Sequence, residues 1–184
     1  MQMPPARKAW LIGAKAPGTA RDRATLKTLL SQRLAPDFRF LPNQIVDARS
    51  RVDTVTVAVM EKAFEAAARF AKEGAVLLWL AGVASVDGLG QAFFQGDDHR
   101  PRSNPGLALE RLWRHLKRID SASAHPVVVV LDFCNADRER PEQLSDTLVV
   151  FGAGPAARNG AGGRLTNALA AALLDPMAAR KDGV

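Results

Sequence analysis

The chain has 184 residues, enough for one sizeable core and too few for two ordinary domains. Hydrophobic residues make up 47% and charged residues 24%, a globular balance that excludes a disordered chain. The net charge of +6 comes from basic residues scattered among acids, without the aromatic interleaving of a single-strand platform, so no specific nucleic acid is expected. A single cysteine, Cys134, excludes an internal disulfide and suits a reducing compartment. The opening MQMPPARKAWLIGA has an apolar stretch of only about five residues, too short for a signal peptide's core. No apolar run approaches the roughly 20 residues that span a bilayer. These features predict a cytoplasmic protein without membrane association. They predict one domain over residues 1–184, on its own or as one module of a longer protein.

Residues 9–13 (AWLIG) form a short apolar run ending in glycine, the pattern of a first buried strand. Leu26, Leu29, Leu30 and Leu34 share one face of a helix predicted over residues 21–34. Phe38 and Phe40 alternate across residues 37–41, where Pro42 limits any strand to an edge or a short piece. Asp53 or Thr54 is the predicted cap of a long helix reaching about Lys72 and ended by Glu73-Gly74. Residues 75–82 (AVLLWLAG) are continuously apolar, as a strand buried on both faces should be. Residues 91–95 (QAFFQ) follow the turn-rich VASVDGLG and are predicted to return as a hairpin.

Leu109, Leu112, Trp113, Leu116 and Ile119 then fall at helical spacing, the stripe of a core-facing helix. Residues 127–133 are the most hydrophobic strand candidate and are therefore placed centrally. Residues 147–151 form another strand, followed by the loop GAGPAARNGAGG and a final helix from about Arg164 to Leu174. Strands alternating with helices predict an α/β fold: a three-layer α/β/α sandwich with a mainly parallel central sheet of about six strands.

Cys134 sits where the apolar run VVVVL gives way to polar residues, just past the end of a central strand. In an open α/β sheet that rim holds ligands and catalytic groups. The three histidines, His99, His115 and His125, have no ligand spacing with one another or with Cys134, so no metal site is expected. His115 falls off the apolar face of its helix and reads as solvent-exposed. The glycines of GAGPAARNGAGG lack the triplet of a phosphate loop and the spacing of a dinucleotide fingerprint, so no cofactor is expected. A small-molecule or nucleotide binder using the rim near Gly160 to Gly163 stays open as an alternative.

The order of elements and several local sequences resemble the caspase-like cysteine peptidases, especially bacterial metacaspase and orthocaspase domains. KAWLIGA resembles the family's opening strand, and VLLWLAGVASVDG the strand that carries its Ser-Gly-His-Gly motif. QAFFQGDD is similar to the hairpin return, and VVVVLDFCNAD to the strand ending in Asp-Cys-Cys-His-Ser-Gly. TLVVFGAGPAARNGAGGRLTNALAAAL resembles the later strand, loop and helix, with a Leu-Thr-x-Ala-Leu pattern. The resemblance covers most of the chain through the number, order and spacing of these segments.

By position, the resemblance implies that Cys134 matches the nucleophile and Asp132 the acid lining a pocket for a basic substrate side chain. Gly82 and Ala84 flank the base position, where Ala84 would offer a backbone amide to an oxyanion. Val83 stands where the family has its histidine, and Asn135-Ala136-Asp137 replaces His-Ser-Gly. Valine neither accepts nor donates a proton, so the resemblance implies a catalytically inactive pseudo-peptidase. Such a domain would bind a protein partner or a second copy of itself in a regulatory or assembly role. The alternative is an active endopeptidase cleaving after Arg or Lys, with a displaced or partner-supplied base and a peptide substrate.

Overall fold

The computed structural model describes residues 6–14, 16, 18–50, 52, 54–134, 144, 147–154 and 164–174. In chain order its elements are β1 (Ala6–Gly13), α1 (Thr19–Thr28), β2 (Ile45–Asp47), α2 (Val57–Phe70), β3 (Gly74–Val86) and β4 (Ala92–Phe94). They continue with β5 (Leu107–Ala108), α3 (Leu109–Ala122), β6 (Val127–Cys134), β7 (Thr147–Gly154) and α4 (Arg164–Leu174). The protein is α/β, with one mixed sheet among the described residues.

β3 organises the sheet. It pairs in parallel with β1 on one side and β6 on the other; β2 extends the sheet beyond β1, and β7 beyond β6, both in parallel. The sheet is not wholly parallel, because β3 outruns both neighbours. Its last residues, Ala84 to Val86, pair antiparallel with β4, which pairs antiparallel with the two-residue β5. A tight turn makes this reversal possible: the Asp87 carboxylate accepts the Leu89 and Gln91 amides, both at 2.9 Å. That side chain-to-backbone pattern is the one that favours aspartate in turns.

Successive strand residues alternate between faces, and the two faces bury different helices. On one face Leu78, Leu80, Val129 and Leu131 pack with Met60, Phe64 and Ala67 of α2 and Leu112, Leu116 and Ile119 of α3. On the other, Leu11, Trp79 and Val130 pack with Leu26 of α1, with Leu29 and Leu30 just beyond it, and with Leu165 and Leu169 of α4. The helical stripe of residues 109–119 and the final helix fall where the periodicity puts them. Among the described residues no helix is long and apolar enough to cross a membrane.

Three local expectations are corrected. Residues 37–41 do not form a strand: Pro36 and Pro42 each open a 3-10 turn, and the strand falls on Ile45–Asp47. Proline's fixed φ and missing N–H favour such turn starts over a ladder, and Phe38 is left 66% exposed. The first helix ends at Thr28 and continues as a π turn over Leu29–Arg33, which keeps Leu29 and Leu30 buried. The long helix is capped by Thr56, whose hydroxyl accepts the Val59 amide at 3.3 Å, and not by Thr54. Asp53 lies outside the described residues.

Gly82 marks the point where β3 leaves the parallel sheet. A Cβ there would stand 2.9 Å from two ring carbons of Phe94, which stacks on Phe133 with ring centroids 4.7 Å apart. Both rings are buried, so neither swings away freely. Gly82→Val is therefore expected to destabilise the protein by about 1–3 kcal/mol, the usual range for overpacking, read as a lower urea midpoint with an unchanged slope.

Candidate functional site at the carboxyl-terminal rim of the sheet

The strand register brings together the two positions singled out by sequence. Val83 of β3 and Cys134 of β6 are Cα partners in adjacent parallel strands, and Cys134 pairs with Gly154 on its other side. Asp132, two residues before Cys134, pairs with Ala81 and Gly152. These residues lie at the carboxyl ends of the parallel strands, the end where open α/β sheets bind ligands. The Cys134 side chain, Asn135-Ala136-Asp137 and Gly160 to Gly163 lie outside the described residues.

Strand alternation places Val83 on the face of Trp79 and Ala81, towards α1 and α4. Val83 is partly buried, and its carbonyl accepts the Gln95 amide at 2.9 Å. Gly82 and Ala84 belong to the opposite face, beneath Phe94. The Val83–Gln95 bond makes Ala84–Phe94 a non-hydrogen-bonded pair of the antiparallel hairpin. The Ala84 amide therefore turns away from β4, to the side where Cys134 ends β6. Asp132 and Val83 thus share one face, while Gly82 and Ala84 contribute packing on the other.

Asp132 is held by a directional hydrogen-bond chain. The buried Trp79 indole N–H donates to the Thr166 hydroxyl oxygen at 3.2 Å, and the Thr166 hydroxyl donates to Asp132 Oδ2 at 3.0 Å. An indole is a donor only, and a hydroxyl has a single proton, so the chain runs one way, from sheet interior to rim. Burial pushes the Asp132 carboxyl above its ordinary range, and hydrogen bonds from the Thr166 side chain and backbone pull it part of the way back.

A second acid stands at this site, one that the sequence reading passed over. Asp22, in the first turn of α1, is only 5% exposed. Burial raises its pKa above the ordinary 3.8, the negative charge of Asp132 raises it further, and Arg21 opposes both. The N-terminal end of a helix favours an anion by about 0.3–1 kcal/mol, and burial outweighs that preference here. The sequence signal was faint: one aspartate in a helix rich in polar residues.

The three histidines lie on three different segments of the fold. His125 precedes β6 at the opposite end of the sheet, about 30 Å of extended chain from Cys134. His99 lies in the loop after β4, where its Nδ1 is 3.1 Å from the Pro105 carbonyl. His115 is not solvent-exposed: only 16% of its side chain is accessible, stacked on Phe64 at 5.1 Å and with Nε2 3.8 Å from Glu61 Oε1. The helix–helix contact of α2 and α3 covers it, which a single-helix pattern does not reveal. Burial, which disfavours the imidazolium, lowers its pKa more than Glu61 restores it.

Among the described residues no group of three His, Cys, Asp or Glu side chains is arranged to hold a metal ion. No family model matches the chain, and no curated protein matches it.

The folded-state pKa of Asp22 lies above the unfolded value, so the group adds stability in acid that is lost as the pH rises from about 3.8 through the raised value. Asp22→Asn, which stays neutral, should raise Tm at pH 7. The gain should shrink towards zero near pH 4, as followed by circular dichroism melts across that range.

Proposed function

We propose that this chain is a degenerate caspase-like domain, a three-layer α/β/α sandwich that has kept the nucleophile position and lost the base. The observation that carries this reading is the pairing of Val83 with Cys134. The positions that the resemblance assigns to base and nucleophile are neighbours across one strand pair. A thiol there needs an imidazole to take its proton, and the nearest strand neighbour at that position offers two methyl groups. His125 precedes β6 at the opposite end of the sheet and His115 is held between α2 and α3, which supports the same conclusion.

Without such a partner a thiol has a pKa near 8.5 and is only a few per cent thiolate at neutral pH. The negative charge of Asp132 nearby on β6 works against ionisation rather than for it. A cytoplasmic binding role follows, in which the rim and its hairpin engage a protein partner or a second copy of the chain. Asp132, with Asp22 behind it, would receive a basic side chain of that partner, as the resemblance implies for a peptide substrate.

Purified protein should show no measurable hydrolysis of peptides carrying Arg or Lys before the scissile bond at neutral pH. Val83→His places an imidazole beside the thiol and should produce turnover that Cys134→Ala removes. Robust turnover by the wild-type chain, abolished by Cys134→Ala, would overturn the proposal.

A further inference from the structure

A groove of about 360 Å³ opens between α2 and the edge strand β2, lined by Lys8 and Trp10 of β1, Arg69 and Phe70 of α2, and Glu73 just before β3. That volume falls in the range of small-molecule sites, roughly 300–1,000 Å³. Val46 of β2 and Ala66 of α2 complete the lining and, with Phe70, form its apolar wall; all three are partly buried and pack against the core. The groove lies far from the rim. Lys8 is in register with Val76 and through it with Val127, the first residue of β6, whereas Cys134 is the last.

The Trp10 and Phe70 rings meet edge to face with centroids 5.8 Å apart, and the Lys8 ammonium stands 5.9 Å from the first centroid and 5.4 Å from the second. Two aromatic faces thus hold this half-buried cation at the groove wall. They leave its three N–H donors without a full acceptor. Among the described residues no carboxylate lies within 4.0 Å of the Lys8 ammonium or the Arg69 guanidinium, and Glu73 makes no ion pair with either. One groove therefore carries two cations and one carboxylate, none neutralised by another, beside an apolar wall.

We propose that this groove binds a free amino acid with a large apolar side chain. Arg69, whose planar fork matches a carboxylate, holds the α-carboxylate together with the Lys8 point charge. Glu73 accepts the α-ammonium, and the side chain lies along Val46, Ala66 and Phe70. The charge pattern selects this class. An aromatic acid leaves Glu73 without a cation and adds a second negative charge, while an amine leaves Lys8 and Arg69 unanswered. A peptide terminus supplies one of the two charges, never both on one carbon. The site does not depend on the function proposed above.

The test is a nitrogen-15 NMR titration of the intact chain with L-phenylalanine, followed at the Trp10 indole N–H and the Val46 and Phe70 amides. Saturable shifts centred on these resonances are expected, with a Kd in the millimolar range that suits so small a ligand. Phenylpropionate, which lacks the ammonium, and phenethylamine, which lacks the carboxylate, should each bind about tenfold more weakly or worse, the loss of a hydrogen bond to a charged group. Acetyl-glycyl-phenylalanine has the carboxylate and ring without a free ammonium and should behave as phenylpropionate does. Arg69→Gln and Glu73→Gln should each weaken L-phenylalanine by a similar factor with Tm unchanged, since both side chains are exposed and neither gives up an ion pair among the described residues. Glu73→Gln should also tighten phenylpropionate, because it removes the repulsion.

No saturable shift up to the solubility limit of L-phenylalanine would overturn the proposal. Equal affinity for L-phenylalanine and phenylpropionate, or for the acetylated peptide, would overturn the assignment to a free amino acid. Binding unmoved by Arg69→Gln would place the ligand outside this groove and overturn the site.

Discussion

The parallel pairing of β3 with β6, in register from Val76–Val127 to Val83–Cys134, is the constraint on which the rest of the structure depends. Its two strands carry continuous apolar runs, Val76 to Ala81 and Val127 to Leu131, and the two cores divide across them. A shift of one residue would send Trp79 and Val130 to the opposite face and turn Leu78 and Val129 out of theirs. The register is therefore fixed by core packing far from the rim. Its consequence at the rim is that Val83, and no other β3 residue, stands beside Cys134.

From that register the candidate site follows with little freedom. Strand alternation puts Asp132 on the face covered by α4, where Thr166 and Trp79 meet it. Gly82 faces the other way and leaves room for Phe94 to lie across the sheet, which lets β4 return beside Ala84. The return is tied down at its far end by Asp97, which accepts the Val55 amide at 2.8 Å and pairs with Arg49 at 2.5 Å. Hairpin, α2 entry and rim are thus braced against one another.

Much of this architecture was legible in the sequence because it rests on long apolar runs and on helical stripes. β1, β3, β6 and β7 lie where continuous hydrophobicity puts them, and α3 where Leu109, Leu112, Trp113, Leu116 and Ile119 put it. The short pieces were not legible: β2 and β5 have three and two residues, too few for a period to appear. At the site, Cys134, Val83 and Asp132 were readable from segment order, but the hydrogen-bond chain from Trp79 to Asp132 joins residues 79, 166 and 132. A linear pattern carries no signal for such a contact. Asp22 and His115 were missed for the same reason, since their burial is produced by elements distant in sequence.

The proposed function makes one chemical statement, that the sulfur at position 134 acts without an imidazole partner. Cys134 is the only cysteine, so its reactivity can be followed in the wild-type chain without background. The rate of alkylation by iodoacetamide across pH 5–10 reports the thiolate fraction directly. An unassisted thiol gives a single rise with a midpoint at about 8.5 or above and negligible reaction below pH 7. A rate that reaches a plateau below neutral pH would reveal a thiolate–imidazolium pair and contradict this account.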